Sequence, residues 1–74
     1  MYIIVKTVVL YSSEPHLLTW AAELVAREKH VRAVTPVQNA GADIYFLGLR
    51  LHASKSDVAR IVTKTFKNAV RVKR

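Results

Sequence analysis

The chain is short, apolar and basic, and these properties limit what it can be. Its 74 residues are 51% hydrophobic, with two Gly, two Pro and no Cys, and 12 Lys and Arg against 5 Asp and Glu give a formal charge of +7. This composition excludes a disordered tail, a disulfide framework and a thiolate metal site. The charge favours nucleic acid, an anionic membrane or an acidic protein as partner.

Size and composition also predict an assembly and a location. A chain of this length buries only about 60% of its unfolded surface, so we expect one domain over residues 1–74 that forms a homodimer or joins a larger complex. The apolar run at residues 1–10 is too short to span a bilayer and lacks the features of a signal peptide. We therefore expect a cytoplasmic protein without a membrane partner. Few Asn and Gln and no Cys are typical of a thermophile.

The first half of the chain predicts a strand followed by a helix. Residues 2–11 are mainly β-branched and aromatic, and predict a strand with one face on helices and the other facing a second protein. A Ser-Ser-Glu-Pro sequence at residues 12–15 starts a helix, with a serine cap and an early proline, that runs to about Lys29. Trp20 lies beside its apolar stripe, where we expect a core-flanking or partner-contacting residue; the alternative is a stacking platform for a base.

A hairpin follows. Residues 30–37 predict a weaker strand, which Pro36 places at a sheet edge. Residues 38–42 predict a hairpin-type connection whose glycine supplies a positive φ. Residues 43–52 alternate between two faces as a long strand, and Gly48 inside it indicates a bulge or the close approach of another backbone.

The last stretch, residues 54–74, carries two stripes at helical spacing. Apolar residues recur every three or four positions and predict one buried helix face, and Ser54 is a suitable N-cap with Asp57 in the first turn. Five basic residues recur with the same period, within an arc of about 80° opposite the apolar stripe: Arg60, Lys64, Lys67, Arg71 and Arg74. We predict that these five cations bind RNA; the alternative is a solvated outer face.

The conformation of residues 70–73 decides between two versions of the fold. Both stripes continue in phase to the terminus without Pro or Gly, which favours a continued helix, whereas the alternation of Val70, Arg71, Val72 and Lys73 is typical of a strand. The sequence therefore predicts an α+β fold, with a small antiparallel sheet in the order β-α-β-β-α and two helices on one face. The alternative, with a fourth strand, is a ferredoxin-like βαββαβ domain.

No group of residues has the spacing of a catalytic or metal site. Two isolated glycines cannot make a phosphate-binding loop or a dinucleotide fingerprint. His16, His30 and His52 lie far apart without carboxylates at metal-ligand spacing, and the five acids form no pair suited to acid–base catalysis. We therefore predict a protein that is not an enzyme and has no metal and no cofactor.

Three phrases follow a family pattern: Leu-Tyr-Ser-Ser-Glu-Pro at residues 10–15, an alanine-containing helix at 17–26, and Leu-Arg-Leu-His-Ala-Ser-Lys-Ser at 49–56. In these phrases and in the order of its elements, the chain resembles the small tRNA-binding, dimer-forming subunit of the KEOPS complex. The resemblance implies that the chain dimerises, contacts a separate ATPase-like catalytic subunit through its helices, and helps to hold tRNA during threonylcarbamoyl transfer to an adenosine next to the anticodon. Binding would then be salt-sensitive phosphate contact with little base readout.

Two other functions stay open. A small basic archaeal ribosome-associated protein would have the same charge and length. A ligand-sensing module, resembling ACT or transcription-regulator effector domains, is similar in the phrases at residues 14–18 and 41–44. A fourth strand at residues 70–73 would favour the sensing module, as would a glycine in the first strand–helix turn, which the sequence lacks.

Overall fold

A computed structural model describes residues 5–73 as an antiparallel sheet covered by two helices. The elements are β1 (Lys6–Ser12), α1 (Pro15–Glu28), β2 (Val31–Val34), β3 (Gln38–Gly41), β4 (Ile44–Leu51), α2 (Lys55–Phe66) and β5 (Arg71–Val72). The sheet order is β2-β4-β1-β5, and β3 pairs with β4 as well. The predicted α+β fold with a small antiparallel sheet is therefore confirmed. The predicted first strand is observed from Lys6 onward, and residues 2–4 lie outside the described residues.

A single core lies between the sheet and the helices. Successive side chains of a strand point to opposite faces, and β1 and β4 align their buried sets, with Leu10 opposite Leu47 and Val8 opposite Leu49. The buried helical residues of the same cluster are Leu18, Ala21, Ala22 and Val25 from α1 and Val58, Ile61 and Val62 from α2. Because both helices bury their apolar stripes on one face, the other face carries no helix among the described residues; we call it the open face.

β2 and β3 are two parts of one interrupted edge strand. β2 pairs with the C-terminal half of β4, and β3 pairs with its N-terminal half. Pro36 explains the interruption, because proline has no N–H to donate to a ladder, and its predicted edge position is confirmed. The prediction that residues 38–42 only connect two strands is wrong. The turn is confined to residues 42–43, with positive φ at Gly41 (108°) and Ala42 (51°).

Ser12 has a different role from the helix cap that the sequence predicts. The N-cap of α1 is Glu14, which makes no side-chain hydrogen bond, and Pro15 follows it as expected. Ser12 is 5% exposed. Its Oγ accepts a hydrogen bond from the Glu14 N–H at 3.1 Å and donates one to the Ala69 carbonyl at 2.5 Å. This hydroxyl therefore connects the start of α1 to the segment between α2 and β5.

α2 begins as predicted but ends early. The Ser54 side chain accepts a hydrogen bond from the Asp57 N–H at 3.2 Å, which is the expected N-cap. The helix ends at Phe66, and Lys67 adopts φ 54° and ψ −120°, as the first central residue of a type II′ turn does. The Ala69 N–H closes this turn on the Phe66 carbonyl at 3.0 Å. The prediction of a helix that continues to the C-terminus is therefore wrong.

Burial and backbone pairing explain why residues 70–73 leave the helix. Val70 is 1% exposed, in the core, and burying a valine contributes about 1.5–3 kcal/mol. Val72 lies opposite Leu10 of β1, and the Lys73 N–H donates to the Val9 carbonyl at 2.8 Å. A continued helix would leave this edge of β1 unpaired. With β2 and β3 taken as one strand, the observed order is the ferredoxin-like βαββαβ alternative.

We predict that Ser12→Ala lowers the free energy of unfolding by about 1–3 kcal/mol, because both hydrogen bonds of a buried hydroxyl are lost and the Glu14 N–H and Ala69 carbonyl lose a partner. Urea denaturation measures this change. Ser13→Ala is the matched control, since Ser13 is exposed and should change stability by less than about 0.5 kcal/mol. Equal stability of the two variants would contradict the role assigned to Ser12.

Lys67→Gly should raise the free energy of unfolding by about 1 kcal/mol. The observed φ and ψ strain a side-chain-bearing residue by about 1–3 kcal/mol, and glycine removes that strain at a smaller cost in unfolded-state entropy. Lys64→Gly is the control, because a glycine within α2 should lower stability by about 1 kcal/mol. Thermal unfolding of both variants should therefore shift in opposite directions, and a loss of stability in both would refute the strained turn.

Candidate nucleic-acid interface

The five cations predicted to form one stripe do not share a helix face. Arg60 and Lys64 are exposed on α2, Lys67 lies in the turn after it, Arg71 lies in β5, and Arg74 lies outside the described residues. Arg71 is paired with Tyr11, on the open face. The prediction that these cations form one continuous stripe on a helix is therefore wrong, because β5 carries Arg71 away from the outer surface of α2. A role for the individual residues in binding RNA stays a prediction.

Arg60 is also partly neutralised. Its Nη2 lies 2.5 Å from the Oδ1 of Asp57, one turn earlier on α2. An exposed pair at this spacing contributes at most about 0.5 kcal/mol to stability, but it places a carboxylate beside the cation. An incoming phosphate would have to compete with Asp57, so the outer surface of α2 attracts anions less than its lysine and arginine content indicates.

The sheet, in contrast, carries cations without acids. The five strands, as far as the structure describes them, contain Lys6, Arg32, Arg50 and Arg71 and no Asp or Glu. The five acids lie on the helices, at a helix cap or in the β3–β4 turn: Glu14, Glu23, Glu28, Asp43 and Asp57. Positive charge on the strands is therefore not offset by an acid in the same strands.

Two aromatic side chains lie next to each other on the open face. Tyr11 of β1 is directly opposite Phe46 of β4, and both are half-buried; the Cβ atoms of such a pair are about 4.5–5.5 Å apart. Arg71 is opposite Tyr11 on the β5 side, and Gln38 is opposite Phe46 on the β3 side. We call this line of four residues the aromatic row. At about 4.8 Å between strands, it crosses roughly 14 Å of sheet.

Gly48 is buried beside the aromatic row. It lies opposite Val9 in an unbroken register. On its other side, its N–H donates to the Thr35 Oγ1 at 2.7 Å, and the Thr35 N–H donates to its carbonyl at 2.9 Å. The nearest atoms that a Cβ at this position would meet belong to the Thr35 and Thr7 side chains, at 3.5–3.7 Å. The predicted bulge or close backbone approach at Gly48 is therefore wrong, and the register shifts lie in β2 and β3.

A groove begins on the open face and passes round the short strand β5 to α2. Its apolar wall includes Val9, Tyr11, Ile44 and Phe46 from the sheet and Ala59 from α2. Four cations also line it, namely Lys55, Lys67, Arg71 and Lys73, and its described lining contains no Asp or Glu. We call it the basic groove. It is open to solvent and combines apolar surface with positive charge, which suits an anionic partner with flat apolar groups.

The basic groove brings together only part of the predicted set. Lys67 and Arg71 line it, whereas Arg60 and Lys64 do not. Sequence reasoning missed Lys55 and Lys73, because neither fits the period of the helical stripe. The strand alternative for residues 70–73 contained the signal for Lys73, since alternate residues of a strand share a face.

Outside the basic groove, the described residues include an exposed aromatic contact on α1. Trp20 is 56% exposed on α1, where its ring meets that of His16 edge-on at 5.6 Å. Nε2 of His16 lies 4.0 Å from a Glu14 carboxylate oxygen. Within residues 5–73, no three His, Asp or Glu side chains come close enough together to hold a metal ion. Neither helix of this segment has the length and apolar content needed to cross a bilayer.

Comparisons with known proteins give no match. No protein-family model matches the chain, and neither a curated protein nor a solved structure does. The resemblance to the KEOPS subunit therefore stays a prediction from the sequence, and the candidate site is defined by its own geometry and charge.

Proposed function

We propose that this protein is a non-catalytic RNA-binding protein, and that the basic groove contacts the phosphate backbone. The observation that carries the proposal is the distribution of charge. Four cations line the groove without an acid in its described lining, in a chain whose formal charge is +7. Lys and Arg bind RNA largely by neutralising phosphates and releasing counterions, which requires no base-specific contact.

The number of cations in the groove sets how steeply the affinity for RNA should fall with salt concentration. If its four cations each neutralise about one phosphate, the logarithm of the affinity for a single strand should fall with the logarithm of salt concentration with a slope of about −3. The apolar wall adds contact area that salt does not screen. Binding should therefore weaken with salt without disappearing entirely at moderate ionic strength.

Charge-matched double variants test the proposal. Arg71→Gln with Lys73→Gln removes two groove cations, and should weaken binding of oligouridine and of tRNA and flatten the salt slope by about 1.4. Arg60→Gln with Lys64→Gln removes the same charge from α2 outside the groove and should change the slope much less. Fluorescence anisotropy between about 50 and 200 mM salt, a range in which phosphate contacts change affinity strongly, measures both.

The outcomes separate four situations. A larger effect of the groove variant supports the proposal. A larger effect of the α2 variant would return the binding site to the outer surface of α2, and equal effects would mean that net charge alone attracts RNA. Absence of binding by the unmodified protein to either probe would overturn RNA binding altogether.

We further propose that the protein acts in the cytoplasm as a homodimer or as a subunit of a larger assembly, of which the KEOPS complex is the candidate that the sequence resemblance favours. Exposed apolar side chains outside the basic groove support an interface: Trp20 is 56% exposed and Val34 47%. Affinity purification from the native cell would identify co-eluting proteins and RNA. Recovery with ribosomes would instead support the ribosome-associated alternative.

Sedimentation equilibrium tests the assembly. We expect a dimer at micromolar concentration, because a chain of this size buries a small core and leaves the apolar side chains named above exposed. A monomer throughout the micromolar range, together with no protein partner in the purification, would contradict the assembly. RNA binding by the basic groove would be unaffected by that result.

One observation favours a second candidate function. β5 pairs with β1 and completes the βαββαβ order that the ferredoxin-like ligand-sensing modules have in common. The β1–α1 turn, however, consists of Ser13 and Glu14 and lacks the glycine expected in such modules. Calorimetric titration with amino acids tests this function, since a sensing module would bind one of them and an RNA-binding protein would not.

A further inference from the structure

The open face is more apolar than the solvent side of a small antiparallel sheet normally is. Such a side usually carries polar residues in alternation with the core. Here its centre carries Val9, Tyr11 and Phe46, all half-buried, and Ile44, which is 49% exposed. Tyr11 and Phe46 are direct cross-strand neighbours. An apolar centre of this kind indicates that the face binds something.

The charges around this centre favour an anionic occupant over a second copy of the chain. Arg71 and Lys73 border it on the β5 side, and Arg50 lies on the same face two positions beyond Gly48. In a two-fold dimer the same patch supplies both sides of the interface, so an open-face dimer would bring the cations of both copies into one interface, where like charges repel. No acid within the described strands could offset that repulsion.

Single-stranded RNA fits both properties of the face. Unpaired bases stack on aromatic side chains while adjoining phosphates contact basic ones, as on other four-stranded sheets that bind RNA. A base within a duplex is already stacked and paired, so it cannot cover Tyr11 or Phe46.

We infer that the RNA bound by this protein is single-stranded, and that Tyr11 and Phe46 stack on its bases while Arg71 and Lys73 contact the adjoining phosphates. This inference rests on the proposed RNA binding and names the class of RNA. Tyr11 and Arg71 are directly paired, so one nucleotide can place its base on the ring and its phosphate near the guanidinium.

Two probes with equal numbers of phosphates separate stacking from charge. The first is oligouridine, and the second is an abasic ribose-phosphate strand of the same length. We expect the abasic strand to bind at least about 25-fold more weakly, because stacking on each of the two rings contributes at least about fivefold. A fully paired RNA duplex should also bind more weakly than oligouridine, since its bases cannot reach the rings.

Substitutions of Tyr11 and Phe46 test whether these two rings provide the stacking. Tyr11→Leu and Phe46→Leu keep apolar volume, and each should weaken oligouridine binding at least about fivefold while affinity for the abasic strand is unchanged. Trp20→Leu is the matched control, because Trp20 is an exposed aromatic residue on α1 outside the groove. Its affinity for oligouridine should equal that of the unmodified protein. Thermal unfolding checks that each variant folds.

A fluorescence measurement covers the case in which a leucine variant does not fold. In a Trp20→Phe background, Phe46→Trp places a single tryptophan in the aromatic row, and oligouridine should quench it while the abasic strand should not. Quenching by both strands equally would contradict stacking.

The remaining results distinguish a failure of base stacking from a failure of the proposed RNA binding. Equal affinity for oligouridine and the abasic strand would overturn stacking but leave RNA binding in place. No affinity for either strand would overturn both. If Tyr11→Leu and Phe46→Leu dissociated a dimer without changing RNA affinity, the open face would bind a second copy of the chain, and the inference would be wrong.

Discussion

The pairing of β5 with β1 is the constraint on which the rest of this structure depends. It makes β1 an inner strand between β4 and β5 and so removes a row of unpaired backbone groups that an edge strand would expose. Within residues 5–73 the ladder has two residue pairs and one further hydrogen bond. It therefore depends on two nearby anchors, the Ser12 hydroxyl on the Ala69 carbonyl and the buried side chain of Val70. Lys67, with its positive φ, lies in the strained turn that allows the chain to reach these two anchors.

The same pairing decides which charges can act together. Strand alternation directs Val70 and Val72 toward the core, and Arg71 and Lys73 toward the basic groove. On a continued helix, Arg71 would have joined the outer surface of α2. On that surface the Asp57 carboxylate already pairs with Arg60. The backbone pairing of a two-residue strand thus moves positive charge onto a face that also carries aromatic rings. The pairing of β5 with β1 therefore determines which cations lie beside the aromatic rings of the candidate binding face.

Local patterns predict most of the elements correctly because each obeys a single period. Strand alternation is sufficient for β1 and β4, and the proline at the start of α1 and the Ser54 cap of α2 mark both helix beginnings. Residues 66–72 obey two periods at once, since Ala69 and Val72 continue the helix stripe whereas Val70 and Val72 alternate as a strand. The one local stop signal is Asn68, a residue type common in turns. The contact that helps to decide, from Ser12 to Ala69, joins positions 57 residues apart, which a local pattern cannot show.

The candidate site was only partly predictable for a related reason. Net charge predicts an anionic partner from composition alone, and alternation places Phe46 on one strand face with Ile44 and Gly48. Neither property states that the rings of Tyr11 and Phe46 are neighbours, because the β1–β4 register depends on the whole pairing from Lys6 to Ser12. Once the register is known, the basic stripe on a helix becomes a weaker hypothesis than a cationic sheet face with two adjacent rings. A stripe of cations attracts any polyanion, whereas paired rings beside cations can distinguish an unpaired strand from a duplex, since only the unpaired strand offers its bases for stacking.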